Sequence, residues 1–82
     1  MGQYANVTSQ RMYHFLKWLG NHKEVDVLVG GRHPAKVTCH KSKETYPLPL
    51  GHGVVNKHIV KDFMEWLVRN EVCTIEEFDG RL

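Results

Sequence analysis

The residues with the clearest chemical potential stand in the run Gly30-Gly31-Arg32-His33-Pro34, between two predicted strands. Glycines let a phosphate approach the backbone closely, and the guanidinium of Arg32 can bind that phosphate. His33 is suited to proton transfer because imidazole titrates near neutral pH. RNA can be cleaved without a metal ion when one group accepts the 2′-hydroxyl proton and an acid protonates the departing 5′-oxygen. Taken alone, however, a glycine-rich turn with an exposed histidine is commonly only a turn.

A second candidate anion site lies where the run Gly51-His52-Gly53 leads into a helix predicted to begin after Asn56. The backbone N–H groups at a helix start favour an anion, and Lys57 adds a positive charge there. His52 is a candidate for the second proton-transfer group. A capped helix with a flexible lead-in explains the same residues without a ligand, and it is the favoured interpretation of this segment alone.

Charge is distributed unevenly along the chain. Residues 30–61 carry six lysines and arginines against Glu44 alone, a balance of +5, and residues 62–82 carry six acids against two arginines. Four of the six histidines also lie in the basic segment. A cationic, histidine-rich centre is typical of a surface for a polyanion such as RNA, although solvated charge alone explains it about equally well.

Size and composition exclude several classes of protein. The 82 residues suit one domain, residues 1–82, and leave no room for a cofactor-binding α/β domain or a two-domain cleft. No apolar stretch is long enough for a membrane span or a signal peptide, so a cytoplasmic protein is expected. No cofactor or metal is predicted, because the adjacent Cys39 and His40 point to opposite faces of a strand. Cys39 is expected in the core.

Periodicity predicts two long helices. The first begins at Thr8 or Ser9 as N-cap and ends at Gly20-Asn21, residues that tolerate a left-handed cap. Its buried stripe, which Tyr13 and Trp18 widen, consists of Met12, Phe15, Leu16 and Leu19. The second follows Asn56, ends near Asn70, and buries Ile59, Phe63, Trp66 and Leu67. A capping box at Thr74 predicts a short final helix through about Phe78.

Between the long helices the period changes to two, which predicts three strands. They cover residues 25–29, 35–40 and 45–50. Pro47 and Pro49 remove donors from one edge, so the third strand belongs at the sheet margin. The predicted fold class is therefore α+β, in the order α-β-β-β-α: a three-stranded antiparallel sheet with two helices on one face and a short C-terminal helix. Lys36, Thr38 and His40 are expected on the open face.

Nearly the whole chain resembles the HicA family, small ribonuclease toxins of bacterial and archaeal toxin–antitoxin pairs. The specific motifs are Gly31-Arg32-His33, Tyr46-Pro47-Leu48-Pro49, His52-Gly53, Asn56-Lys57 and the tail Cys73-Thr74-Ile75-Glu76-Glu77-Phe78-Asp79. One position differs from the family's pattern, because Arg32 stands where a small hydroxyl residue usually precedes the histidine.

The resemblance implies a fold like that of a double-stranded-RNA-binding domain and the activity of an mRNA-cleaving endoribonuclease. It implies that His33 is catalytic and that a HicB-type antitoxin is the partner. Arg32, Lys36 and Lys57 are then expected to bind RNA phosphates, and the free toxin is expected to be monomeric. The alternative is a non-catalytic double-stranded-RNA-binding module, which would use the same basic surface. An orphan protein-interaction domain would leave the +5 segment unexplained.

Overall fold

The computed structural model describes residue 4 and residues 7–29, 35–50 and 53–82. Its elements are α1 (Ser9–Leu19), β1 (Val25–Leu28), β2 (Ala35–Cys39), β3 (Thr45–Leu48), α2 (Lys57–Arg69) and α3 (Ile75–Arg81). The three strands form one antiparallel sheet in the order β1-β2-β3. The predicted α+β class is confirmed, whereas the likeness to a double-stranded-RNA-binding domain stays a prediction.

Helix α1 begins as its sequence predicts and ends for a different reason. The Thr8 hydroxyl accepts a hydrogen bond from the Arg11 N–H at 3.1 Å, which identifies Thr8 as the N-cap. Gly20 follows the last helical residue but keeps right-handed angles, φ −63° and ψ −14°, so the expected left-handed cap is wrong. The helix closes instead through a tighter bond from the Asn21 N–H to the Trp18 carbonyl.

The sheet buries one face only. Val25, Ala35, Val37, Cys39 and Leu48 point into the core, each at most 3% exposed. The residues that alternate with them along each strand face outward. Both long helices cover the buried side. The predicted marginal position of β3 and the predicted open face are confirmed.

The outer face carries polar contacts between neighbouring strands. The hydroxyls of Thr38 and Thr45 lie 3.1 Å apart, and the His40 ring lies 2.7 Å from an Asp26 carboxylate oxygen. Lys36 is exposed on the same face. These contacts hold the outward side chains in place without covering the face.

Capping side chains fix the starts of α2 and α3. Asn56 accepts a hydrogen bond from the His58 N–H at 2.8 Å, and Thr74 and Glu77 form both bonds of a capping box. Helix α3 continues to Arg81, beyond the predicted end near Phe78. Among the helices of the described residues, none is long and apolar enough to span a membrane.

One phenylalanine from each helix contributes to the centre of the core. The Phe15 and Phe78 ring centroids are 4.8 Å apart, and each lies 6.2 Å from the centroid of Phe63, with steeply crossed planes. This edge-to-face geometry is favourable for aromatic rings beyond the area they bury. The Tyr46 ring joins β3 to the same cluster, 5.2 Å from Phe63. Tyr13, by contrast, is 40% exposed and does not widen the buried stripe.

We predict that Phe63→Ala lowers the free energy of unfolding by about 3–5 kcal/mol, because it leaves a cavity where three helices meet. That is a large share of the roughly 4–12 kcal/mol expected for a domain of 82 residues. Urea denaturation followed by circular dichroism measures the loss. Tyr13→Ala, the exposed aromatic control, should change stability by about 0.5 kcal/mol or less. A loss below about 1 kcal/mol for Phe63→Ala would contradict the central role of the cluster.

Candidate nucleic-acid interface

The strands define two ends of the sheet. At one, which we call the hairpin end, β1 finishes at Leu28, β2 starts at Ala35 and β3 finishes at Leu48. At the other, the turn end, residues 40–44 connect β2 to β3. Every predicted site residue can be assigned relative to these two ends or lies outside the described residues.

The catalytic candidate, His33, is among the predicted site residues that the structure does not describe. Arg32 and His33 lie outside the described residues, as does His52. Val29 and Ala35, between which Arg32 and His33 stand in the sequence, are both described and both lie at the hairpin end. The proposed role of His33 therefore depends on its position in the sequence and on the groups at that end.

Helix α2 runs from the hairpin end to the turn end. Its C-cap Asn70 donates to the Glu44 carboxylate at 3.4 Å, and the Lys41 ammonium donates to Glu71 at 2.9 Å. Both contacts anchor the end of the helix at the turn end. Thirteen residues at 1.5 Å each put Lys57, at the start of the helix, about 20 Å from this anchored end. Because Tyr46 on β3 donates to the Ile59 carbonyl in the first turn of the helix, this start lies on the side of the hairpin end.

Lys36 lies at the hairpin end on the open face. Its register partners are Leu28 on β1 and Pro47 on β3, so apolar side chains flank it on both sides. The side chain is exposed, and no carboxylate of the described residues pairs with it. Lys36 therefore presents an uncompensated positive charge beside the strand end that leads towards His33.

Lys57 is the first residue of α2 and is also exposed. The Asn56 side chain caps this helix, and its first turn contains no acidic residue. The positive end of the helix dipole therefore adds to the charge of Lys57 instead of being neutralised by a neighbouring carboxylate. As for Lys36, the described part of the chain offers Lys57 no ion-pair partner.

The turn end has a different character, because most of its basic groups face acids, with Lys43 as the exception within residues 40–44. Within the described residues the ion pairs are His40–Asp26 at 2.7 Å, Lys41–Glu71 at 2.9 Å and Arg69–Glu44 at 3.9 Å. Tertiary structure thus divides the basic segment that the sequence shows as continuous. Lys41 and His40 are compensated, whereas Lys36 and Lys57, like Lys43 and Lys61, have no ion-pair partner among the described residues.

The two candidate metal ligands at the end of β2 are kept apart. Cys39 is fully buried in the core, and the His40 ring lies on the open face against Asp26. The predicted separation of these side chains is confirmed. Across the described residues, no group of three or more histidine, cysteine, aspartate or glutamate side chains converges.

The structure also shows a polar crevice that the sequence does not predict. Its volume is about 580 Å³, and its lining residues are Tyr46, Asp62, Glu65, Trp66 and Arg69. The Tyr46 hydroxyl donates to Asp62 at 2.9 Å. Burial, this hydrogen bond and the negative charge of Asp62 raise the pKa of Tyr46 well above its usual value, so the phenol stays protonated. Tyr46 and Asp62 are 16 positions apart and share no motif, which is why no sequence signal identifies this pair.

The fold and the charge pattern define a small α+β protein in which Lys36 and Lys57 have no ion-pair partner among the described residues. In comparisons with protein-family models, with curated proteins and with solved structures, nothing matches this chain. The assignment of a function therefore depends on the residues themselves.

We predict that His40 titrates above its usual pKa of 6.5, since its hydrogen bond to Asp26 and the charge of Asp26 raise the pKa. The stabilisation from this pair is present below pH 6.5 and is lost as the pH rises through the raised pKa. Ring-proton NMR measures the titration directly. Asp26→Asn should lower the His40 pKa, and Glu24→Gln, which removes a weaker charge effect, should lower it less. A His40 pKa unaffected by Asp26→Asn would contradict the pairing.

Proposed function

We propose that the protein is the toxin of a type II toxin–antitoxin pair, a metal-independent endoribonuclease of the HicA type that cleaves mRNA. The observation that carries the proposal is the separation of charge between the two ends of the sheet. Lys36 and Lys57 are exposed and uncompensated towards the hairpin end, whereas His40, Lys41 and Arg69 are paired with acids at the turn end and only Lys43 there is not. His33 falls in the sequence between the two strands that meet at the hairpin end.

The proposed reaction needs proton transfer and phosphate binding. In one assignment the His33 imidazole accepts the 2′-hydroxyl proton, and the 2′-oxygen attacks phosphorus while the bond to the 5′-oxygen breaks. The departing 5′-oxygen takes up a proton, and the products are a 2′,3′-cyclic phosphate and a 5′-hydroxyl. His52 is a candidate for the second proton-transfer group. One positioned histidine contributes typically about 10²- to 10⁴-fold to such a step.

The basic residues are assigned to holding the substrate. Lys36, Lys57 and Arg32 would each contact a phosphate, and a backbone is recognised in this way with little dependence on base sequence. The 20 Å that α2 spans keeps the acids paired at the turn end away from these contacts. A HicB-type antitoxin is the proposed partner, and an acidic surface on it would compete with RNA for the same lysines.

His33→Ala is expected to abolish growth inhibition and RNA cleavage, because the proton-transfer group is lost. The measurements are growth after induction and cleavage of a defined RNA by the purified protein. A melting transition like that of the wild type is the required control for folding. Cleavage in excess EDTA should match cleavage without it, as a metal-independent reaction requires. Full toxicity of a folded His33→Ala protein would contradict the catalytic assignment.

Lys36→Ala and Lys57→Ala are expected to weaken RNA binding and to flatten its salt dependence. Each phosphate contact releases counterions, so each lost contact should reduce the log–log slope by about 0.7–0.9. Fluorescence anisotropy at several salt concentrations measures the slope. Lys41→Ala is the matched control, because this lysine belongs to the same basic segment but is paired with Glu71. The salt slope of the Lys41→Ala protein should stay close to that of the wild type.

The same measurements separate the two classes of function. Salt-dependent binding without any cleavage by the wild-type protein would favour a non-catalytic double-stranded-RNA-binding module. Equal slopes for the wild type, Lys36→Ala and Lys57→Ala would show that RNA does not bind at the hairpin end.

A further inference from the structure

The sheet has two marginal strands, and only one of their outer edges is blocked. In the β2–β3 ladder, the Cys39 N–H donates to the Glu44 carbonyl, so even-numbered residues of β3 direct their backbone groups towards β2. Pro47, which is odd-numbered, therefore has its nitrogen on the outer edge, and so does Pro49 just beyond the strand. Since proline has no N–H, another strand cannot pair fully with this edge.

The outer edge of β1 has no such block. The His40 N–H donates to the Glu24 carbonyl at 2.9 Å, so even-numbered residues of this strand face β2. The backbone N–H and C=O groups of Val25, Val27 and Val29 must then point away from the sheet. No residue of the described part of the chain pairs with this edge. The run from residue 25 to 29 contains neither proline nor lysine, the residues that commonly protect an exposed edge.

Apolar side chains continue around this edge. Leu28 is 69% exposed on the open face, and Val29 is 42% exposed. On the helix side, Tyr13 and Val27 contribute to an open groove of about 400 Å³ between α1 and β1. Tyr13, with 40% of its surface exposed, has no packing role in the monomer comparable to that of Phe15. The edge therefore combines unpaired backbone groups with uncovered apolar surface.

We propose that β1 pairs antiparallel with β1 of a second copy of this chain, about a two-fold axis at Val27. Val27 then faces Val27 of the second copy, and Val25 faces its Val29. All the outward backbone groups of these three residues would be hydrogen-bonded in the resulting six-stranded sheet. The β-branched side chains of all three point to the helix side, where such cross-strand pairs are favourable.

Charge on the open face also suits this register. Asp26 would lie opposite Leu28 of the second copy, so the pairing puts no like charges directly across from each other. Asp26 already has His40 as a partner within its own chain. A self-complementary strand of this kind fits a second copy better than it fits an unrelated acidic or basic partner.

The pairing involves only five residues from each copy, so we expect a weak, concentration-dependent dimer. The sequence favours a monomeric free chain, and the dimer departs from that expectation. Its basis is the direction of the backbone groups along β1, which follows from the register of the sheet. The proposal does not depend on the ribonuclease function, because Lys36 and Lys57 are not part of the paired edge.

Sedimentation velocity of the full chain over a dilution series tests the proposal. The wild type, 9.5 kDa as a monomer, should reach twice that mass at concentrations approaching about 1 mM. Val29→Pro removes one outward donor from each copy and leaves the ladder to β2 intact. It should weaken the dimer at least about tenfold. Val54→Ser changes a valine that is 53% exposed elsewhere on the surface and should have no effect.

A charged side chain introduced at residue 28 tests the register without the backbone change that Val29→Pro makes. In Leu28→Glu the new carboxylate would lie opposite Asp26 of the second copy, so repulsion between like charges should weaken the dimer. The fold should stay intact, because the same carboxylate would lie beside Lys36 of its own chain. Leu28→Lys would lie opposite the same aspartate and should weaken the dimer less. Circular dichroism confirms folding of each variant. A wild type that is monomeric throughout, or a dimer that neither Val29→Pro nor Leu28→Glu weakens, would overturn the proposal.

Discussion

Contact among Phe15, Phe63 and Phe78 is the interaction on which the rest of the structure depends. Each ring comes from a different helix, and each is at most 1% exposed. The contact gathers all three helices on one side of a sheet of only three strands. The opposite face of the sheet is consequently left open, and Lys36 is accessible for that reason.

The direction in which α2 runs along the sheet determines which charged side chains form ion pairs. Tyr46 packs on Phe63 and donates to Asp62, and Asn70 donates to Glu44 just before β3, so α2 runs antiparallel to β3. The C-terminal end of α2 is thereby brought to the turn end, where Glu71 compensates Lys41. Three basic groups are thus paired with acids at the turn end, whereas Lys36 and Lys57 have no such partner among the described residues.

The two marginal strands of the sheet differ in whether their outer edges can pair with another strand. Prolines on β3 prevent pairing at one edge, while the valines of β1 leave the other edge able to pair. The β1 edge and the lysines of the hairpin end use different groups, so the proposed self-association and the proposed RNA binding can be altered separately. A small domain can in this way carry two interaction surfaces on a single core.

The sequence by itself determined the elements. Caps at Thr8, Asn56 and Thr74, together with the periods of the buried stripes, set their order and most of their boundaries, because such signals act within a few residues. It also nominated His33, through the chemistry of imidazole together with the resemblance to the HicA family. Tertiary structure decided which charges meet: the 30 positions between Lys41 and Glu71 carry no local signal, and the pair forms only because α2 packs against β3. The outward direction of the β1 backbone was settled likewise by strand register, since pairing between strands, and not composition, fixes which groups remain free.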